Sequence, residues 1–153
     1  QLERFDLRLL LQNCVDGYQA ANPDHRIVAT LLPVSAWMRG VPDRVAQLLD
    51  KLIDNAIAFG TPSGLIVVNL RVVDNDFELT VSNDGPALPS EIADSLFDPM
   101  VSSTRDARKT HLGLGLYIVR LVAEFHKGTV SARNRPGGSG VEVLVSLPRD
   151  VSA

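Results

Sequence analysis

His111-Leu112-Gly113-Leu114-Gly115-Leu116-Tyr117-Ile118-Val119-Arg120 is the stretch on which the reading of this chain turns. Two glycines stand two apart, and Leu116, Val119, Val122 and Ala123 follow at helical spacing. The pattern predicts a flexible loop that enters a buried helix at Leu114 and runs to Phe125. Backbone N–H groups are free at a helix start, and glycine lets an anion come close to them, so Gly113 and Gly115 form a candidate phosphate cradle. An ordinary tight turn before a helix has the same pattern, so the neighbouring segments decide between the two.

The residues just upstream favour the cradle. Residues 98–110 lack apolar periodicity and carry Arg105, Arg108 and Lys109, the densest positive cluster in the chain. A connection this long without structure of its own is often a functional lid, although a solvated basic loop has the same composition. Net charge is −3, so there is no global attraction to nucleic acid or to an anionic membrane. A polyanionic ligand would have to be held by a local cluster. The 153 residues suit a single domain, and 45% apolar against 22% charged residues suit a globular one. The lone Cys14 allows no internal disulfide and reads as a core residue. No run approaches the length of a membrane span, and no signal peptide is visible. The abrupt start at Gln1 suggests a fragment of a longer protein.

Further elements follow from period and punctuation. Asp6 can cap a helix from Leu7, with Leu9, Leu10, Cys14, Val15 and Tyr18 as its apolar stripe, stopped by Asn22-Pro23-Asp24. Residues 26–32 alternate as a strand, and 38–40 form a short one. Pro42 opens a strong helix with Val45, Leu48, Leu49, Leu52, Ile53 and Ala56 on one face, and Gly60 stops it. Lys51 and Asn55 are four apart and share a face. Asn55 is bracketed by Ile53, Ala56 and Ile57, where alanine or leucine would make a better helix. An inward asparagine there needs a partner, and a metal or its water shell is one candidate; a solvated helix face is the other reading. Residues 65–73 and 77–82 read as an antiparallel hairpin across Asp74-Asn75-Asp76. A short helix over 89–96, with Ser90 or Asp94 as cap, and strands at 129–133 and 141–147 complete the chain.

Four blocks in this order resemble the ATP-binding catalytic domain of sensor histidine kinases, in the GHKL (Bergerat-fold) ATPase superfamily. Leu48-Leu49-Asp50-Lys51-Leu52-Ile53-Asp54-Asn55-Ala56 is similar to the N box, and Val81-Ser82-Asn83-Asp84-Gly85-Pro86-Ala87-Leu88-Pro89 to the G1 box. Leu96-Phe97-Asp98-Pro99-Met100 is similar to the F box, and Gly113-Leu114-Gly115-Leu116-Tyr117-Ile118-Val119 to the G2 box. The resemblance implies an α/β two-layer sandwich, with a mixed, mostly antiparallel sheet packed on about three helices and an ATP lid. It implies one ATP-binding catalytic domain over 1–153, with the dimerisation and phosphoacceptor domain outside this segment.

By position, the resemblance makes Asn55 the Mg²⁺ ligand; Lys51, one turn earlier on the same face, joins it as a candidate catalytic residue although it departs from the family pattern. Phe59, Asn83, Gly85 and Leu88 would surround the base, and Phe97 would anchor the lid. Arg105, Arg108 and Lys109, with Leu112, Gly113, Leu114, Gly115 and Leu116, would lie along the phosphates. Asn83 stands where the family has aspartate; assigning the role to Asp84 instead would put Pro86 where glycine is needed. An amide carries one donor and one acceptor edge, as adenine does, so asparagine can still pair with it. Ala87 replaces the second G1 glycine. Lys51 stands where the family often has asparagine, and Ala58 where it has a basic residue; Lys51 could supply the cation that Ala58 lacks. His111 replaces a glycine at the start of the G2 box.

The implied activity is transfer of the ATP γ-phosphoryl group to a histidine on the dimerisation domain of the same protein, in bacterial two-component signalling. A response regulator would be the next partner, and the isolated segment would turn over little ATP. The setting would be cytoplasmic, either free or as the cytoplasmic portion of a membrane-anchored sensor, with no nucleic-acid partner. The chain's own histidines are poor acceptors: His25 lies in a turn, His111 in the lid, and His126 at a helix end, where a cation suits the dipole. The alternatives are an anti-sigma-type serine kinase and a degenerate nucleotide-binding or interaction module without catalysis.

Overall fold

The computed structural model describes residues 2–89, 92, 95–99, 107–137 and 139–151, with the backbone alone for 107–114. Its elements are β1 (Glu3–Asp6), α1 (Leu7–Ala21), β2 (Arg26–Leu31), β3 (Trp37–Gly40), α2 (Pro42–Phe59), β4 (Leu65–Val73), β5 (Asp76–Asn83), α3 (Ala107–Phe125), β6 (Thr129–Asn134) and β7 (Val141–Pro148). Five strands form one sheet in the order β2-β4-β5-β7-β6, and β1 pairs with β3 in a separate two-stranded ribbon. β2 runs parallel to β4, and the other pairs of the large sheet are antiparallel. This is the expected two-layer α/β sandwich with a mixed sheet.

The sheet has one apolar face because its strands alternate strictly. Ile66, Val68 and Leu70 of β4, Phe77, Leu79 and Val81 of β5, and Val143, Val145 and Leu147 of β7 are all buried. Register puts Val68 opposite Val81 and Val81 opposite Val143, so these rows are continuous across the sheet. The helices lie on that face. α2 contributes Val45, Leu48, Leu49, Leu52, Ile53 and Ala56, and α3 contributes Leu116, Val119, Val122 and Ala123. The opposite face is polar and carries the ion pairs Arg71–Glu78 and Arg133–Glu142, each at 2.7 Å.

Several local expectations are corrected. β1 was not legible in four residues, Glu3 to Asp6, whose partner strand begins at Trp37. On α1 the buried row is Leu7, Leu11 and Val15, at i, i+4 and i+8; Leu9, placed in the stripe by its spacing, is 54% exposed. The reason is the entry from β1, which drives Leu7 into the core as the first helical residue. The helix expected over 89–96 is not among these corrections: Ile92 is helical, and Ile92 N–H to Pro89 O, Ser95 N–H to Ile92 O and Asp98 N–H to Ser95 O, each 3.0 Å, lie in and after that segment. Ser90 and Asp94, its expected caps, lie outside the described residues.

α2 is held at its start by an unexpected residue. Val41 provides no side-chain cap, and its N–H donates to Nε2 of the buried His126 at 3.1 Å. The other ring nitrogen meets Val122 O at 2.8 Å. A backbone N–H can only donate and a carbonyl can only accept, so this pair of contacts requires the Nδ1–H ring with Nε2 as acceptor. His126 therefore joins α3 to the start of α2, in place of the cationic dipole partner its position suggested. Gly40 is required beside it, because a Cβ there would run into the imidazole. α3 itself ends in a Schellman arrangement, with Gly128 N–H to Ala123 O at 2.7 Å, Lys127 N–H to Glu124 O at 2.9 Å and Lys127 at φ 65°.

Two stability predictions follow from α1. Asp6 caps it by accepting from Arg8 N–H at 3.0 Å, and the same oxygen accepts from Ala36 N–H at 2.8 Å. Asp6→Ala is expected to cost about 1–3 kcal/mol in urea unfolding, the worth of a cap plus a second hydrogen bond. Tyr18 donates to Asp50 Oδ1 at 3.1 Å, and burial, then the Asp50 charge, push its hydroxyl well above the usual value of 10.0. Unfolded tyrosine loses its proton near pH 10 while folded Tyr18 keeps it, so this contribution is intact below about pH 10 and is lost as pH rises further. The urea midpoint should fall on the alkaline side of that value, and fall less steeply in Tyr18→Phe.

Candidate functional site

The site is built where the last turn of α2 meets the end of β5. Gly60 ends the helix, and a Cβ on it would lie 2.5 Å from Ala56 O, 3.2 Å from Asp84 O and 3.3 Å from Asn83 Cβ. The next residue donates its N–H to Asp84 O at 2.8 Å. Gly85 continues from β5 at φ 147°, and a Cβ there would lie 3.0 Å from Phe59 O and 3.2 Å from Gly60 Cα. Two glycines thus allow a backbone-to-backbone approach that no side chain could share. The junction sets Phe59 O against Gly85 and Gly60 against Asn83, with Asn55 one turn earlier on α2.

Asn55 points inward. It is 9% exposed, and its Oδ1 is buried without a hydrogen-bond partner among the described residues. Such an acceptor costs roughly 1–3 kcal/mol when left unsatisfied, so its presence calls for a ligand. Among the described residues no group of three or more His, Cys, Asp or Glu side chains could hold a metal. An amide oxygen is a hard donor, which suits a hard cation that takes one protein oxygen and keeps its waters. Lys51 lies one turn earlier on α2 and is half-buried. Asn83, the second buried amide, is 6% exposed at the end of β5, and its Nδ2 donates to Asp84 O at 3.1 Å. A carbonyl can only accept, so the atom facing it is the amide nitrogen; Oδ1 and the second N–H remain for a ligand.

The phosphate side is placed differently from expectation. α3 begins at Ala107, so Gly113 and Gly115 lie inside the helix and not at its N-terminus. Ala, Arg, Lys and Leu flanking them are good helix formers, and each glycine costs only about 1 kcal/mol, so the helix runs through both. A Cβ on Gly115 would meet nothing within 4 Å among the described residues, while Leu116 is fully buried. The backbones of Arg108, Lys109, Leu112, Gly113 and Leu114 are in the helix; their side chains, and Arg105 altogether, lie outside the described residues. Phe97 is 6% exposed, and Asp98 beside it pairs with Arg120 of α3 at 2.9 Å, which ties the F-box position to that helix. Leu88 is half-buried.

Two residues at the site carried no local signal. Asn134 and Arg135, in what reads as a plain turn, reach back 46 and 51 residues to Leu88 and Asp84. Cys14 stands apart from the site, on an apolar groove of about 330 Å³ with Phe5, Leu9, Leu10 and Pro42. Burial, then Asp50, raises its thiol above 9.0, which agrees with a packing role.

Comparison with known proteins was made on this geometry. Residues 40–151 match the family described as histidine kinase-, DNA gyrase B-, and HSP90-like ATPase. The sensor histidine kinase TrcS of Mycobacterium tuberculosis is 35% identical over 156 residues, covering 97% of this chain and 30% of TrcS. The sensor protein SphS of Synechococcus elongatus is 32% identical over 161 residues, covering 99% of this chain and 39% of SphS. This chain thus spans about a third of the length of these relatives. Among solved structures, the catalytic domain of the histidine kinase ThkA superposes with a TM-score of 0.85 at 23% identity, covering 97% of this chain and 96% of that one. Full-length ShkA in complex with AMPPNP superposes with a TM-score of 0.83 at 21% identity over all of this chain and 32% of its own.

The orphaned acceptor gives a direct test. Asn55→Leu, close in volume and without polar atoms, is expected to stabilise the ligand-free chain by about 1–3 kcal/mol in urea unfolding. A loss of stability would show that the amide is already satisfied.

Proposed function

Because this chain belongs to the histidine kinase-, DNA gyrase B-, and HSP90-like ATPase family, we propose that it binds Mg·ATP at the α2–β5 junction and presents the γ-phosphoryl group to a histidine on another domain of its parent protein. The observation that carries this reading is the buried, unpartnered Oδ1 of Asn55, one helix turn before the residues that contact Gly85. The sensor histidine kinases among its relatives make two-component signalling the setting, with a response regulator as the later phosphate acceptor. AMPPNP in the ShkA complex supports the choice of an adenine nucleotide.

Each residue has a distinct task in this reading. Asn55 Oδ1 holds Mg²⁺, which when bound neutralises charge on the phosphates. Lys51 adds positive charge on the same face of α2, and Arg105, Arg108 and Lys109 add it from the lid side. Asn83 offers Oδ1 to the exocyclic amine of adenine, in an orientation set by the Asp84 carbonyl. Gly85 lets the base lie against backbone, and Phe59 and Leu88 give it apolar walls. Phosphoryl transfer asks mainly for position and charge neutralisation, and both can be met here. The general base belongs beside the acceptor histidine, outside this segment, so the isolated chain should bind nucleotide and turn over little of it.

Calorimetric titration with Mg·ATP and with adenosine tests the proposal. The unmodified chain should bind both. Asn55→Ala should abolish the gain that Mg²⁺ gives to ATP, and Lys51→Ala should weaken ATP by about tenfold, or 1.4 kcal/mol, with adenosine unchanged. Equal losses for both ligands would remove Lys51 from the phosphate side, and no binding at millimolar Mg·ATP would overturn the proposal.

A further inference from the structure

The segment that would read the base has little structure of its own. β5 ends at Asn83, and residues 84–89 are neither strand nor helix, yet Gly85 and Leu88 must stay in place for a base to fit against them. One end of this loop is fixed to α2 by Thr61 N–H to Asp84 O at 2.8 Å. The other end is fixed by Asn134, the last residue of β6. Leu88 N–H donates to Asn134 Oδ1 at 2.6 Å, and Asn134 Nδ2 donates to Leu88 O at 3.1 Å. One side-chain amide thus pairs with both polar groups of one residue, as a neighbouring strand would.

The residue after Asn134 acts on the same loop. Arg135 Nη1 forms an ion pair with Asp84 Oδ1, and its backbone N–H donates to Gly140 O at 3.0 Å, which closes the β6–β7 turn. Gly140 stands at φ 92°, and a Cβ on it would strike Asn83 O. The end of β6 and the turn after it therefore touch the loop at both ends, at Asn83 and Asp84 and at Leu88. Arg135 and Asp84 are 35% and 42% exposed, so their attraction is screened, and the two hydrogen bonds of Asn134 to Leu88 add a second, neutral hold on the loop.

We infer that Asn134 and Arg135 are positioning residues for the nucleobase end of the site, acting through Leu88 and Asp84 without touching the nucleotide; this rests on the proposed function. A loop already ordered before binding loses less entropy on binding, so releasing Leu88 lowers affinity for the base and leaves the phosphate end unaffected. Adenosine therefore reads the effect as fully as ATP does, which separates it from Lys51.

The test is the 153-residue chain with Asn134→Ala and Asn134→Asp, titrated with adenosine and with Mg·ATP, and unfolded in urea. Asn134→Ala should weaken both ligands by the same factor, about tenfold for a lost pair of hydrogen bonds. Asn134→Asp keeps the acceptor for Leu88 N–H but not the donor, so it should fall between. The urea midpoint should change little, because the pair lies on exposed Asn134. Unchanged adenosine affinity in Asn134→Ala, a loss confined to ATP, or a loss matched by a fall in the midpoint would overturn this inference while the unmodified chain still binds. No adenosine or ATP binding by the unmodified chain would overturn the proposed function and this inference with it.

Discussion

The end of α2 lies directly on the end of β5, with Gly60 and Gly85 at the contact and one hydrogen bond, Thr61 N–H to Asp84 O, across it. That approach fixes the distance between a helix and a strand whose two buried amides, Asn55 and Asn83, would otherwise have no relation to each other. A side chain at either glycine would push the two elements apart. The far end of α2 is held independently, by the His126 imidazole on Val41 N–H. A helix fixed at both ends by other parts of the fold keeps its rotation. Its rotation decides that Asn55 faces inward, with Leu52, Ile53 and Ala56.

Burying two amides in such a core works against stability. The inner faces of α2 and of the sheet are otherwise apolar, and neither Asn55 nor Asn83 improves the packing there. Asn83 recovers part of the cost through Asp84 O, whereas Asn55 Oδ1 recovers none among the described residues. Here local rules are broken where the surrounding strands and helices obey them, and such a mismatch marks a functional site. The two glycines in α3 belong to the same pattern. They weaken a helix that Leu116, Val119 and Ala123 otherwise hold firmly in the core.

Much of the fold and part of the site were legible in the sequence. The six apolar positions of α2 and the apolar runs of β4, β5 and β7 between their turns gave their elements nearly residue by residue, because periodicity and punctuation report which face is buried and where it stops. The inward Asn55 was legible for the same reason, as a polar residue within an apolar stripe. The start of α3 was not, because glycine lowers helix propensity too little to end a helix among strong helix formers. β1 was not either, since four residues, Glu3 to Asp6, form a strand only by pairing with Trp37 to Gly40.

By itself, then, the sequence determined the layers, the sheet-forming segments and the polar residues that stand out of pattern within them, since each of these depends on neighbours a few positions away. Only the tertiary structure decided that Asn134 holds Leu88, that Arg135 reaches Asp84 and that His126 takes the first free N–H of α2. Those contacts join residues 46, 51 and 85 positions apart. Their side chains meet because the β6–β7 turn and the end of α3 fold back onto the junction, and no local pattern of charge or hydrophobicity encodes that return.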